Sequence, residues 1–360
     1  MRASPYVKAS LLALCLVIGF VAVWEFYLRG QDFGISYNDD EALWAHHRQR
    51  IYRATAANPV VIGSSRIKFG LDQSTWEATT GAAPVQLAMV GTSPRPLLAD
   101  LARDPDFKGT VLVGITEGLF FAPSGSPPEA QALKATAFYP KWSIAGRAGF
   151  SLNRLLESRL LFLDEERFSL RAMLKELPVP NRPEVFAIPA FPVEFVTSDF
   201  NRQTSITPAF LADTALQNKQ RAIWMYIFTK APKMPMPDSV LTGIFRSVAS
   251  DVAKIRERGG QVLFVRMPST GAVYELEKVA FAREKYWDRL LAETGAPGIH
   301  FADYPQLSGY ACPEWSHLSP ADASTFTADL IRIIEQKTGW SVARTQAVPA
   351  ASQTSHLTAR

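Results

Sequence analysis

Apolar positions fall into three regimes along the chain. From Ala9 to Trp24 they are nearly unbroken, and from 59 to about 120 and 238 to 336 they come as short runs between amphipathic stretches. Between 120 and 237 that rhythm is lost. The runs Val60–Ile62, Val85–Met89, Val111–Ile115, Gln261–Met267 and Ile299–Phe301 predict strands, because short continuous apolar runs suit a sheet buried on both faces. Ser93-Pro94 opens a helix through Leu97, Leu98 and Leu101. Leu241, Ile244, Phe245, Val248, Val252 and Ile255 mark one face of another, which ends at Gly259-Gly260. A polar helix is predicted over roughly 274–291. The last begins at Ser319-Pro320 and buries Phe326, Leu330, Ile333 and Ile334. Alternating strands and helices predict an α/β fold with a parallel sheet covered on both faces.

The unbroken N-terminal run is preceded by Arg2 and Lys8 and followed by Glu25 and Arg29. Phe26, Tyr27 and Leu28 extend it toward the roughly 20 residues that cross a bilayer, and Trp24 and Tyr27 suit the aromatic belt. A cleaved signal peptide competes with this reading, but no small-x-small site follows the run. Residues 1–29 are therefore expected to form an uncleaved signal anchor, a transmembrane helix with the bulk of the chain outside the cytoplasm. In a bacterium that is a single-pass inner-membrane protein facing the periplasm.

Residues 30–58 form a polar juxtamembrane segment with a short helix around Trp44-Ala-His-His-Arg48. His46 and His47 are adjacent, so on a helix they diverge, and they are expected to be solvated or packing residues rather than metal ligands. Residues 120–237 are expected to be a large insertion capping one side of the sheet. Leu177-Pro-Val-Pro-Asn-Arg-Pro183, Pro189 and Pro192 break regular structure there, and Leu152–Leu163 is helical. Its aromatic clusters, Tyr139-Pro-Lys-Trp142 and Trp224-Met-Tyr-Ile-Phe228, fit buried packing and, as a lesser alternative, a sugar groove. After Trp340 the residues are small and polar, and 341–360 are expected to be a disordered tail.

Composition adds exclusions. With 38 Lys+Arg against 34 Asp+Glu in 360 residues, and no long run of either sign, nothing suggests nucleic acid as partner. The two cysteines, Cys15 and Cys312, lie too differently to suggest a disulfide, and no Cys/His cluster has zinc-ligand spacing. No metal or organic cofactor is required.

Chemistry enters at the end of the first strand, Pro59-Val-Val-Ile-Gly-Ser-Ser-Arg66. Ligands in open α/β sheets bind at the carboxyl ends of strands, which places Ser65 for chemistry, yet Ser is equally suited to cap the next helix. Far downstream stands Cys312-Pro-Glu314-Trp-Ser-His317. A carboxylate three residues before a histidine orients the imidazole, and the imidazole can take the proton of a serine hydroxyl. A surface-loop histidine with a chance acidic neighbour is the plain alternative.

Order and spacing together resemble the SGNH/GDSL hydrolase superfamily over about residues 59–120 and 238–336. That family has a nucleophile after the first strand, a glycine after the second, an Asn after the third and an Asp-x-x-His before the last helix. Here Gly63-Ser64-Ser65, Gly91 in Leu87-Ala-Met-Val-Gly-Thr92, Gly114-Ile-Thr116-Glu117 and Glu314-x-x-His317 occupy those places. The likeness is closest to the membrane-anchored Gly-Ser-Ser branch accompanying exopolysaccharide O-acetylation and teichoic-acid D-alanylation. It implies a three-layer α/β/α fold with a flavodoxin-like sheet, with Ser65 as nucleophile, His317 as base and Glu314 as orienter. The implied oxyanion donors are the N–H groups of Ser65 and Gly91, with Thr116 standing where the family has Asn. Ser64 is left as the capping residue.

The implied activity is an extracytoplasmic serine esterase or O-acyltransferase, acetyl by preference, on a cell-envelope or exported glycan. The acyl donor would be a membrane partner protein or the substrate itself. Because Thr116 and Glu314 depart from the family pattern, a catalytically inactive SGNH-like module that binds glycan or scaffolds an assembly is the alternative. A flavodoxin-like nucleotide binder is a weaker third, lacking Gly-x-Gly-x-x-Gly and offering Arg66 as the lone cation.

Overall fold

A computed structural model describes residues 4–31, 33–176, 188–230 and 236–342. The proline-rich stretch 177–183 and nearly all of the expected tail lie outside the described residues. The central sheet has five strands: β1 (Val60–Ile62), β2 (Val85–Gln86), β3 (Thr110–Ile115), β6 (Gln261–Arg266) and β7 (Gly298–His300). Two more, β4 (Val196–Ser198) and β5 (Thr204–Ile206), pair as an antiparallel hairpin in the region expected to be an insertion. The sheet order is β2-β1-β3-β6-β7 and every pairing is parallel. The chain thus winds outward in both directions from β1 and β3. The crevice between their carboxyl ends is the topological switch point at which open α/β sheets bind ligands.

Side-chain alternation sorts the sheet into two cores. Val60, Ile62, Val111, Val113, Val262 and Phe264 join one. That face is covered by the helices Arg95–Arg103, through Leu97, Leu98 and Leu101, and Asp238–Glu257, through Leu241, Phe245 and Val248. Val61, Leu112, Leu263 and Val265 join the other, under Phe326, Leu330 and Ile334 of the helix Pro320–Thr338. Ser319 caps that last helix, its Oγ accepting from Asp322 N at 3.2 Å.

Two expected elements come out differently. The polar stretch 274–291 is split into Gly271–Ala280, a wide turn Glu284–Asp288 and Arg289–Thr294. Phe281 interrupts it by folding against Tyr286, ring centroids 5.3 Å apart, so tertiary packing overrides helical continuity. The helix expected over 152–163 spans Ile144–Glu157 instead, with a separate turn at Leu161–Leu163. There Glu25 intervenes, its carboxylate accepting Leu161 N at 3.1 Å and Phe162 N at 3.2 Å.

Glu25 belongs to the helix Pro5–Arg29, the one described helix long and apolar enough to cross a membrane. Beyond it, Tyr37 N donates to Ser198 O at 2.9 Å and Ser198 N to Ser36 Oγ at 3.1 Å, laying the juxtamembrane segment along the β4–β5 hairpin. Asp39 then reaches the buried Lys68 and Arg202. Burial opposes its ionisation, but those two cations prevail and hold its carboxyl far below the usual range. His46 and His47 pack around Phe200, and burial, aided by Arg202, pushes the His47 imidazole down to about 3.

The turn after β1 needs glycine for space. A Cβ on Gly114 would lie 2.6 Å from Ile67 Cβ, and one on Gly63 would collide with Ile67 Cγ2. Ile67 therefore wedges the helix Ser65–Gly70 tightly against β1 and β3. Gly114→Ala should cost about 1–3 kcal/mol through overpacking and lower the thermal midpoint. An unchanged midpoint would contradict this account of the wedge.

Candidate active site

Ser65 is the first residue of the helix Ser65–Gly70, so its N–H has no partner within that helix. His317 and Glu314 come from the loop that precedes the last helix. The fold brings the three together: Ser65 Oγ lies 2.8 Å from His317 Nε2, and His317 Nδ1 lies 2.9 Å from Glu314 Oε1. A carboxylate only accepts, so it fixes the imidazole proton on Nδ1 and leaves Nε2 to accept from the serine hydroxyl.

Glu314 is fully buried and surrounded by donors. Its Oε1 also accepts His317 N at 2.6 Å and Ser316 N at 3.2 Å, and its Oε2 accepts the indole N–H of Trp224. A buried charge is tolerable only when hydrogen-bonded in this way. The loop is held in an uncommon shape: Trp315 has φ 76°, a region that bulky side chains rarely occupy. Thr270 N donates to Trp315 O at 2.9 Å, and the indole lies against Gly271, where a Cβ would come within 2.5 Å of the ring. Such strain persists only where the surroundings over-determine it, and it clusters at functional sites.

The imidazole stacks on Phe69, ring centroids 4.3 Å apart, one turn beyond Ser65 on the same helix. Phe195 and Trp224, at 5.9 and 6.0 Å, close in from the 120–237 region. Ser65 stays partly open to solvent.

Beneath Ser65 runs an ion network. Arg66 binds Glu277 through Nη2 at 2.5 Å and Nη1 at 3.1 Å, and its Nε donates to Ser316 Oγ at 3.2 Å. Glu277 also binds Arg266 at 2.7 Å, and Arg266 binds Glu117 at 2.7 Å. Burial opposes the Glu277 charge, but the two guanidiniums outweigh it and hold its carboxyl at about 2. Arg66, read from the sequence as a lone cation, is thus fully engaged.

The remaining sequence candidates gather at the same sheet edge. Met89 N donates to Gly63 O at 3.0 Å, drawing the loop that carries Gly91 toward β1, and Gly91 itself has φ 65°. Ser64 occupies the N-cap position but makes no side-chain cap. Its Oγ lies 2.6 Å from Thr116 Oγ1 instead, a bridge across the β1–β3 crevice that corrects the capping role expected for it. Phe69 and the Arg66–Glu277 pair were not singled out by sequence. Trp224 stood within a visible aromatic cluster, whereas Glu277, 211 positions from Arg66, carried no local signal.

Compared with models of known protein families and with curated proteins, the chain matches none.

Proposed function

We propose that the chain is a serine acyl esterase or O-acyltransferase of SGNH type, acting through Ser65, His317 and Glu314. Its substrate would be an acyl ester, acetyl by preference, of a cell-envelope or exported glycan outside the cytoplasm. The N-terminal helix would hold the enzyme at the inner membrane with its domain in the periplasm. The observation that carries this reading is the continuous relay from Ser65 Oγ through His317 to Glu314 at 2.8 and 2.9 Å. A serine at neutral pH is a weak nucleophile, and this arrangement supplies its base.

In the proposed cycle Ser65 Oγ attacks the acyl carbon while His317 Nε2 takes its proton. Glu314 stabilises the imidazolium. The oxyanion is received by the N–H groups of Ser65 and Gly91, with Thr116 as third donor. Collapse expels the sugar alkoxide, which takes the proton from His317. Water, or a hydroxyl of a second glycan, then releases the acyl group from Ser65 by the reverse steps. A membrane acyl-donor protein would load Ser65 if transfer is the physiological direction.

A serine-directed fluorophosphonate should label the full chain in detergent, and Ser65→Ala should abolish that labelling; undiminished labelling would sink the assignment. Trp224→Phe removes one charge-assisted hydrogen bond to Glu314, worth about 1.5–3 kcal/mol, so kcat should fall roughly tenfold to a hundredfold. KM should stay nearly constant, while the thermal midpoint falls by a few degrees because Glu314 Oε2 loses its partner. An equal change in KM would instead place Trp224 against the substrate.

One observation favours a second reading. The Thr116 hydroxyl is shared with Ser64 at 2.6 Å, which weakens the third oxyanion donor. A non-catalytic glycan-binding or scaffold module would show sugar-dependent Trp quenching that survives Ser65→Ala and His317→Ala, with no ester turnover.

A further inference from the structure

The helix Ile144–Glu157 buries almost nothing outside one narrow face. Phe150 packs on Trp142 and Phe200, and Glu157 accepts from Asn38 at 2.7 Å. On the opposite face, positions 144, 148, 152 and 155–156 recur at helical spacing. Ile144 is 87% exposed, Leu152 61% and Leu155 59%. Leu156, 41% exposed, extends this stripe. Contiguous exposed apolar surface of this kind marks an interaction site.

The position of the stripe selects its occupant. The end of the helix Pro5–Arg29 is fixed to the turn that follows Ile144–Glu157. Glu25 takes the N–H groups of Leu161 and Phe162, and Arg29 Nη2 donates to Arg159 O at 2.5 Å. Glu25 and Leu28 are the buried residues of the anchor, so this joint sits where the anchor would leave the bilayer. Arg147 and Arg154 belong to the packed side instead, their guanidiniums lying over the rings of Trp142 and Phe200, so the stripe itself carries no charge.

We propose that the outward face of Ile144–Glu157 lies in the interfacial layer of the bilayer that the N-terminal helix crosses. The domain is then held flat on the membrane at two places rather than swinging from one. This rests on the reading of the N-terminal helix as membrane-inserted, and the experiment reads that separately.

The full chain is reconstituted singly into phosphatidylcholine–phosphatidylglycerol nanodiscs with an environment-sensitive fluorophore on one thiol. Cys15 is exposed near the middle of the helix and serves as the anchor reporter, read with lipids that carry the nitroxide deep in the acyl chain. Cys312 stays dark, because it is buried and its thiol is pushed up to about 12. In the Cys15→Ser background, Leu152→Cys reports the stripe and Lys108→Cys an exposed site distant in sequence. A face sunk roughly 5–10 Å into the headgroup boundary should lose about half its emission to headgroup-level nitroxide lipids and resist iodide. The probe at 108 should do the reverse. Iodide access at 152 while the Cys15 probe is lipid-quenched overturns the proposal and spares the anchor. Protection from both quenchers overturns it in favour of cover by protein, whether another segment or a partner. If the Cys15 probe itself escapes lipid quenching, the anchor reading fails, and the proposal with it.

Discussion

His317→Ala is expected to lower ester turnover by roughly a millionfold, and adding Ser65→Ala should cost almost nothing further. Groups that act as one unit are lost as one unit, so the double variant discriminates a relay from two independent contributors. The fold should survive. Removing the imidazole leaves Glu314 with the N–H groups of Ser316 and residue 317 and the indole of Trp224, so its charge stays compensated. Losses that multiply across the two sites would disprove the relay. Turnover that persists in His317→Ala would remove His317 from the chemistry.

Glu277→Gln is expected to be the most damaging single change to stability. It strips Arg66 of its bidentate partner and Arg266 of one of two, leaving charge buried without compensation, at a cost of about 3–5 kcal/mol. For a domain of this size the thermal midpoint should drop by roughly 10 °C or more. The pH dependence has a definite sign. The Glu277 carboxyl is depressed from 4.5 to about 2 in the folded chain, so its stabilisation is present above 4.5 and is lost as pH falls toward 2. Acid titration of the wild type should show that limb, and Glu277→Gln should flatten it. A variant as stable as wild type, with the limb intact, would show that the network contributes nothing net.

The parallel sheet was legible because burial on both faces writes each strand as a short apolar run. Val111, Leu112 and Val113 need no alternation when both sides are covered. Ser65, Glu314 and His317 were legible through their offsets and their placement at strand or helix ends. What escaped depends on contacts between distant segments. Nothing local tells Phe281 to break a helix, or says that Trp224 turns its indole toward a carboxylate 90 positions away. Ser64 illustrates the same limit. Its position fits a cap, but a hydroxyl just past the end of the neighbouring strand, that of Thr116, offers the better partner.

Ser65 and His317 are separated by 252 positions, with the 120–237 region and four strands of the central sheet between them. During synthesis the serine therefore emerges long before the base proposed for it. In the mechanism proposed above, the hydroxyl is an ordinary alcohol until the loop containing His317 has docked. The long sequence interval works as a delay. In that mechanism, reactivity is withheld until the loop before the last helix has been made and has folded onto the sheet.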